Sequence, residues 1–152
     1  MIPYIKEMIQ DFHEHEPSPD KKANTPATEI FFKLDYKSRL VDDSRAKLFY
    51  TFVAKALFAT KRYRPDIHTA VAFLTTRVRG PDENDWKKLL RLMQYLINTT
   101  EMPLTLRADV TNIVKWWVDG LYAVHLDMRS QIGGTMSLGK GAIISTSIKL
   151  YW

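Results

Sequence analysis

The spacing of hydrophobic residues along the chain changes near Pro103. Between residues 44 and 98, apolar side chains recur every three or four positions, which is the period of helices with one buried face. After Pro103, apolar and polar residues alternate, which is typical of β-strands with one covered face. The pattern therefore predicts an α+β fold in which a helical segment is followed by an antiparallel sheet.

The first predicted helix covers residues 44–63. Asp42 and Asp43 stand immediately before it, where acidic side chains cap the free backbone N–H groups of a first turn. Pro65 ends the pattern, because proline cannot continue a helix. The residues expected on its buried face are Phe49, Phe52, Val53, Ala56, Leu57 and Thr60.

Two shorter helices are predicted beyond Pro65, and Gly80-Pro81 separates them. The earlier one covers residues 67–78, and the later one is capped by Asp82 or Asn84 and ends near Ile97. The residues expected to point inward are Ile67, Ala70, Val71, Leu74, Trp86, Leu89, Leu90, Met93 and Ile97. Lys87, Lys88 and Arg91 are expected to face the solvent.

The C-terminal part predicts a three-stranded antiparallel meander over residues 112–150. In the first strand, Val114, Trp116 and Val118 alternate with Lys115, Trp117 and Asp119. Residues 132–138 and 142–150 are the second and third strand candidates. The Gly-Lys-Gly sequence at residues 139–141 predicts a tight turn between them.

Residues 1–29 are interpreted as a linker or tail, because three prolines stand between residues 17 and 26 in a polar stretch. His13 and His15 flank Glu14, and a metal site is one interpretation of these three residues. A solvated loop is the preferred interpretation, since no further ligand is near in sequence. The predicted organisation is a linker (1–29), a helical segment (30–102) and a β segment (103–152).

Composition narrows the classes of protein that remain. Of the 152 residues, 45% are hydrophobic and 26% are charged, which is typical of a globular chain. The absence of cysteine excludes disulfides and thiolate metal sites. No apolar run approaches the ~20 residues of a membrane span, so no membrane partner is expected. A cytoplasmic or nuclear location is expected instead.

A net charge of +5 suits a polyanionic partner. Six basic residues near the ends and outer faces of two predicted helices are candidates for contacts with nucleic-acid phosphates: Lys61, Arg62, Arg64, Lys87, Lys88 and Arg91. The alternative is that these are ordinary solvated helix faces.

One acid lies in an unusual setting, within residues 116–134. An apolar run carries Asp119 into a predicted strand, and a buried carboxylate must be paired, hydrogen-bonded or bound to a metal. A loop with His125, Asp127 and Arg129 and then a Gly-Gly pair follow.

This segment resembles the opening of the ribonuclease H domain in copia-type retrotransposon polyproteins. Arg64-Pro65-Asp66-Ile67 resembles the signature that follows the polymerase core in that family, and residues 85–100 resemble the helix after it. The similarity runs from about Ala27 to Lys149, with the motifs in the family's order.

The resemblance implies reverse transcription and cleavage of an RNA–DNA hybrid in the intact family. Two Mg²⁺ ions would be held there by four acids, of which Asp119 matches the first. The other three are expected beyond the third strand and have no counterpart in this sequence. We therefore expect a truncated fragment, resembling the first half of a ribonuclease H fold, that binds no Mg²⁺ and is not an active enzyme.

Several alternatives stay open at this stage. Asp127 is a second acid that might assist Asp119 in metal-dependent cleavage, together with acids from another chain. The fragment is otherwise a nucleic-acid-binding module without catalysis, or a decayed reading frame without function. Asp42 and Asp43 imitate the aspartate pair of polymerases, but the helix that follows them at once favours capping.

Overall fold

The computed structural model describes residues 2–16, 22–122 and 128–150, and these form an α+β fold. The helices are α1 (Ile2–His15), α2 (Asp43–Arg62), α3 (His68–Thr75, entered through a 3-10 turn at Pro65–Ile67) and α4 (Glu83–Asn98). The strands are β1 (Arg107–Ala108), β2 (Lys115–Leu121), β3 (Gln131–Ser137), β4 (Gly139–Lys140) and β5 (Ile144–Lys149). No helix in these ranges is both long enough and apolar enough to cross a membrane.

The three predicted helices are confirmed as α2, α3 and α4. Asp42 caps α2, and its carboxylate accepts a hydrogen bond of 2.9 Å from the Arg45 backbone N–H. Asp82 caps α4 through a capping box with Asp85, in which each side chain accepts from the other's backbone N–H. Both acids therefore cap helix starts as predicted, and of the two candidates for α4 it is Asp82 rather than Asn84.

The linker prediction for the N-terminal segment was wrong for residues 2–15, which form α1. Ile5, Met8 and Phe12 lie on one side of this helix and are buried against α2 and α4. Their spacing of three and four positions is that of an amphipathic helix. The helical part therefore has four helices rather than three.

The hydrophobic core lies entirely in the helical part. Every buried hydrophobic residue among those described belongs to the chain before Ile97, including Ala23 and Phe31 from the loop between α1 and α2. In the β segment, by contrast, Ser137 is the one described residue classed as buried. The sheet is therefore an appendage of the helical core rather than a second core.

The predicted antiparallel meander is confirmed, with strand order β2-β3-β5. Trp116, Met136 and Ile144 stand opposite one another across the three strands. The predicted tight turn at residues 139–141 was wrong, because Gly139–Lys140 form β4, which pairs antiparallel with β1. β5 is the strand that contacts α3, so β2 lies on the side of the sheet away from the helices.

Candidate nucleic-acid interface

Asp119 lies on β2 and is exposed, so the expectation of a buried carboxylate was wrong. The strand is the edge of the sheet opposite β5, which contacts α3, and its residues from Trp116 to Leu121 are exposed. Its side chain accepts a hydrogen bond of 2.9 Å from the Gly120 backbone N–H. Since water solvates this carboxylate, burial gives no reason to expect a metal there.

The described residues around Asp119 do not by themselves fit a two-metal site. Its cross-strand neighbours are Gly133 on β3 and, beyond it, Ser147 on β5. Within the described ranges, no three histidine or acidic side chains come close enough together to hold a metal ion. A two-metal centre requires several carboxylates at fixed places. His125 and Asp127 lie outside the described residues.

Arg64 is an internal residue and not part of an exposed patch. Its side chain is 2% exposed. The guanidinium grips Asp66 with two parallel hydrogen bonds, Nε to Oδ1 at 2.9 Å and Nη2 to Oδ2 at 2.8 Å. Nη2 and Nη1 also donate to the hydroxyl and the carbonyl of Thr99, at 2.7 and 3.2 Å. These bonds use four of the five N–H groups of the buried guanidinium.

Tyr95 completes this cluster from α4. Its hydroxyl donates to Asp66 Oδ2 at 2.9 Å, and its ring lies 5.5 Å from the Arg64 guanidinium carbon. Burial and then the Asp66 carboxylate raise the pKa of Tyr95, so the hydroxyl remains a donor. We call Arg64, Asp66, Tyr95 and Thr99 the clamp, because they join the 3-10 turn to the end of α4.

Lys88 is also buried, so the prediction that it faces the solvent was wrong. Its ammonium donates to the Lys33 carbonyl at 2.8 Å and lies 3.5 Å from the Asp85 carboxylate. It also stands over the Phe73 ring at 4.7 Å. Burial lowers the pKa of Lys88, although Asp85 opposes that effect. The residue therefore ties α4 to the loop at Lys33 and to α3.

The four remaining candidates form two separate pairs. Lys61 and Arg62 are exposed at the end of α2, close to the clamp, whereas Lys87 and Arg91 lie one turn apart on α4. Lys87 precedes Thr99 by twelve residues, which is about 18 Å along a helix axis at 1.5 Å per residue. The six residues therefore do not form one patch.

A cleft of about 310 Å³ separates the end of α2 from β5. Lys61, Arg62 and Tyr63 line one wall, and Ser145 and Thr146 contribute to the other. Burial raises the pKa of Tyr63 to about 12, so its hydroxyl is neutral at physiological pH. The cleft thus offers two cations and several hydroxyl groups to a ligand.

His68 stands at the start of α3 beside this cleft and is 4% exposed. Its Nε2 lies 3.5 Å from the Lys61 ammonium. Burial lowers the pKa of His68, and the Lys61 charge lowers it further. The unfolded chain therefore takes up a proton at a higher pH than the folded chain does.

We expect folding stability to fall as the pH drops below about 6.5, the ordinary histidine pKa, and to be unaffected by this residue above it. The free energy of unfolding, measured with urea at pH 7.5 and 5.5, should show this loss. His68→Gln should lose less stability over the interval than the wild type does. His13→Gln, which alters an exposed histidine on α1, should retain the full loss, and an equal effect of both variants would contradict the assignment.

The β segment contains exposed aromatic and basic side chains that the sequence reasoning left unassigned. Trp116 and Trp117 are 57% and 54% exposed on β2. Arg107 on β1 and Lys140 on β4 stand directly opposite each other and were not singled out. The sequence signal for Lys140 is the Gly-Lys-Gly sequence, which was interpreted only as a tight turn.

Comparisons with protein families, with curated proteins and with solved structures found no match to this chain.

Proposed function

We propose that this chain corresponds to the region after the polymerase core and the start of the ribonuclease H domain in copia-type polyproteins, and that it binds nucleic acid without cleaving it. The clamp is the observation that carries the family part of this proposal. The similarity rests on separate sequence motifs, and the two helical ones meet in the clamp.

The contacts explain why these motifs would occur together. Arg64 and Asp66 belong to the Arg-Pro-Asp-Ile motif, and Tyr95 and Thr99 belong to the helix that resembles the family's next segment. Asp66 and Tyr95 are 29 positions apart in the chain, and Arg64 and Thr99 are 35 apart. Even so, the four side chains share five hydrogen bonds of 3.2 Å or less. Pro65 fixes the 3-10 turn that brings Asp66 back to Arg64. A chance likeness of two motifs would not require such contacts.

The absence of cleavage follows from the acids near Asp119. The resemblance implies four carboxylates, and no three acidic or histidine side chains among the described residues come close enough together to hold a metal ion. A single exposed carboxylate cannot position two ions on the attacking and leaving oxygens. Binding, by contrast, needs only cations and stacking surfaces. Lys61, Arg62 and Lys87 are exposed and Arg91 is half-buried, and these four residues supply cations.

A labelled 20-base-pair RNA–DNA hybrid tests both parts of the proposal. We expect the chain to shift the hybrid to a slower mobility at 50 mM salt in the presence of Mg²⁺, with the RNA strand intact after hours. Affinity should fall steeply between 50 and 200 mM salt and should not depend on base sequence, since phosphate contacts carry both properties.

Three results would contradict this expectation. Absence of binding at 50 mM salt removes the nucleic-acid part of the proposal. Binding that is equal at both salt concentrations removes the phosphate-contact mechanism. RNA cleavage that disappears in Asp119→Asn makes the chain an enzyme and shows that the missing acids have substitutes; Asp43→Asn, an acid in the first turn of α2, is the matched control.

A further inference from the structure

The two-stranded ribbon formed by β1 and β4 holds two like charges in register. Arg107 and Lys140 are paired across the ribbon. Residues directly opposite in an antiparallel pair point to the same face. Both are exposed, and both line a shallow cleft of about 380 Å³. Opposed like charges destabilise a strand pair, so the ribbon maintains an unfavourable arrangement in the absence of an anion.

No acid among the described residues relieves this repulsion. Asp109 also lines the cleft, but it forms an ion pair with Lys115 and accepts hydrogen bonds from Thr111. These bonds, and the one from Lys115 most, lower the pKa of Asp109 to about 2. The carboxylate is therefore already bonded to Lys115 and Thr111. Among the described residues, neither Arg107 nor Lys140 takes part in an ion pair.

Two glycines fix the place of Lys140. A Cβ atom added to Gly139 would lie 2.6 Å from the Asp109 backbone nitrogen. Gly141 has a φ of +80°, and a Cβ there would overlap the Thr105 carbonyl. The 139–141 segment thus lies directly against the backbone of β1 and the residues beside it. In this segment Lys140 stands between two glycines, so it supplies the only side chain. The pairing with β1 holds it opposite Arg107.

An exposed indole lies beside the ribbon. The Asp109 backbone N–H donates to the Leu138 carbonyl at 2.9 Å, and Lys115 reaches Asp109 from the first position of β2. Lys115 and Trp117 share one face of that strand, because side chains alternate. Trp117 therefore lies on the face that borders the ribbon, whereas Trp116 lies on the other.

Cations that hold a backbone, next to an aromatic ring on which a base can stack, are the features that bind single-stranded nucleic acid. We propose that Arg107 and Lys140 bind a phosphate group of a single-stranded nucleic acid and that Trp117 stacks on a neighbouring base. This inference rests on the proposed function and adds to it a specific site and strand type.

Labelled oligothymidylate of 20 nucleotides, followed by fluorescence anisotropy, tests the site. Arg107→Gln/Lys140→Gln should bind about tenfold more weakly at 50 mM salt. The slope of log affinity against log salt should fall by about 0.7, since the two residues hold one phosphate group and each neutralised phosphate on a single strand contributes about that much. Lys37→Gln/Lys47→Gln removes the same charge from exposed positions elsewhere and should leave the slope unchanged.

The base-stacking part has its own matched pair of variants. Trp117→Ala should weaken oligothymidylate binding about tenfold, because stacking on one base is worth roughly that factor. Trp116→Ala removes an equally exposed indole from the opposite face and should change the affinity less than twofold. Equal losses in the two variants would overturn the assignment of Trp117.

The outcomes separate this inference from the proposed function. If the wild type binds hybrid and oligothymidylate, and the ribbon and control double variants bind alike, the site is overturned and the proposed function stands. If the wild type binds neither nucleic acid, the site and the proposed function are both overturned.

Melting curves in phosphate test the other source of an anion. If phosphate at 20 mM raises the melting temperature of the wild type but not of the ribbon variant, while oligothymidylate binding is equal in both, the ribbon is a free-anion site and the nucleic-acid assignment is overturned. Folding is monitored by the same melting curves, which should show no loss in the ribbon variant, because it removes a repulsion.

Discussion

Asp66→Asn is expected to lower the free energy of unfolding by about 3 kcal/mol. The substitution keeps the shape of the side chain but removes the negative charge that Arg64 grips, and Arg64 is 2% exposed. Breaking a buried pair by removing one partner typically costs 3–5 kcal/mol, because the other charge stays buried without compensation. The lower end of this range is expected because Asp66 itself is partly exposed and the Thr99 carbonyl still accepts a hydrogen bond from the guanidinium.

Thermal unfolding followed by circular dichroism measures this loss, as a fall in Tm of about 6–12 °C at 2–4 °C per kcal/mol. Glu29→Gln removes a carboxylate from an exposed loop position and should change stability by less than about 0.5 kcal/mol. The double variant Arg64→Met/Asp66→Leu should recover part of the loss, because it removes both charges. A drop in Asp66→Asn no larger than that of the control would show that the clamp does not stabilise the fold.

The helices that the sequence predicted best are those whose burial depends on local periodicity. In α2 the predicted inward residues Phe49, Phe52 and Val53 are buried, because a helix of this period has one apolar face wherever it packs. α1 carries the same spacing in Ile5, Met8 and Phe12. The proline-rich stretch that follows it led to a linker prediction for the whole segment, although proline constrains only the residues next to it.

The charged residues were harder to place, because their partners are distant in sequence. Lys88 is buried through contacts with Lys33 and Phe73, and Arg64 through Thr99. Helix periodicity states which side of one element a residue occupies, but it does not show which other element covers that side. A basic residue was therefore assigned to the surface by default, although paired charges do occur in interiors.

The candidate site in the β segment was only partly predictable for a related reason. Alternation located β2, β3 and β5 and kept Trp116 and Trp117 in the same strand. The β1–β4 ribbon has two residues per strand, too few for any alternation, so the pairing of Arg107 with Lys140 is visible only in three dimensions. Asp119 was expected to be buried from its apolar neighbours, but those neighbours are themselves exposed, since β2 is remote from the helices.

The buried hydrophobic residues lie among the helices, so the helices contribute most of the stability that comes from burial. α1 contributes to it through Phe12. Phe12 is fully buried and meets the Phe52 ring edge-on, with centroids 5.0 Å apart. It also stacks on Trp86 at 6.2 Å, so it joins α1 to both α2 and α4. Loss of this ring would leave a cavity bounded by two large aromatic side chains.

Phe12→Ala should therefore lower the free energy of unfolding by about 3–5 kcal/mol, the usual range for removing a buried phenylalanine. That is a large fraction of the 5–15 kcal/mol available to a typical domain, so the variant should unfold at a markedly lower urea concentration, followed by circular dichroism. His13→Ala alters the adjacent, exposed residue of the same helix and should change stability by less than about 0.5 kcal/mol. If residues 1–29 acted as a linker, the two substitutions would have the same small effect, because an unpacked segment contributes no buried area.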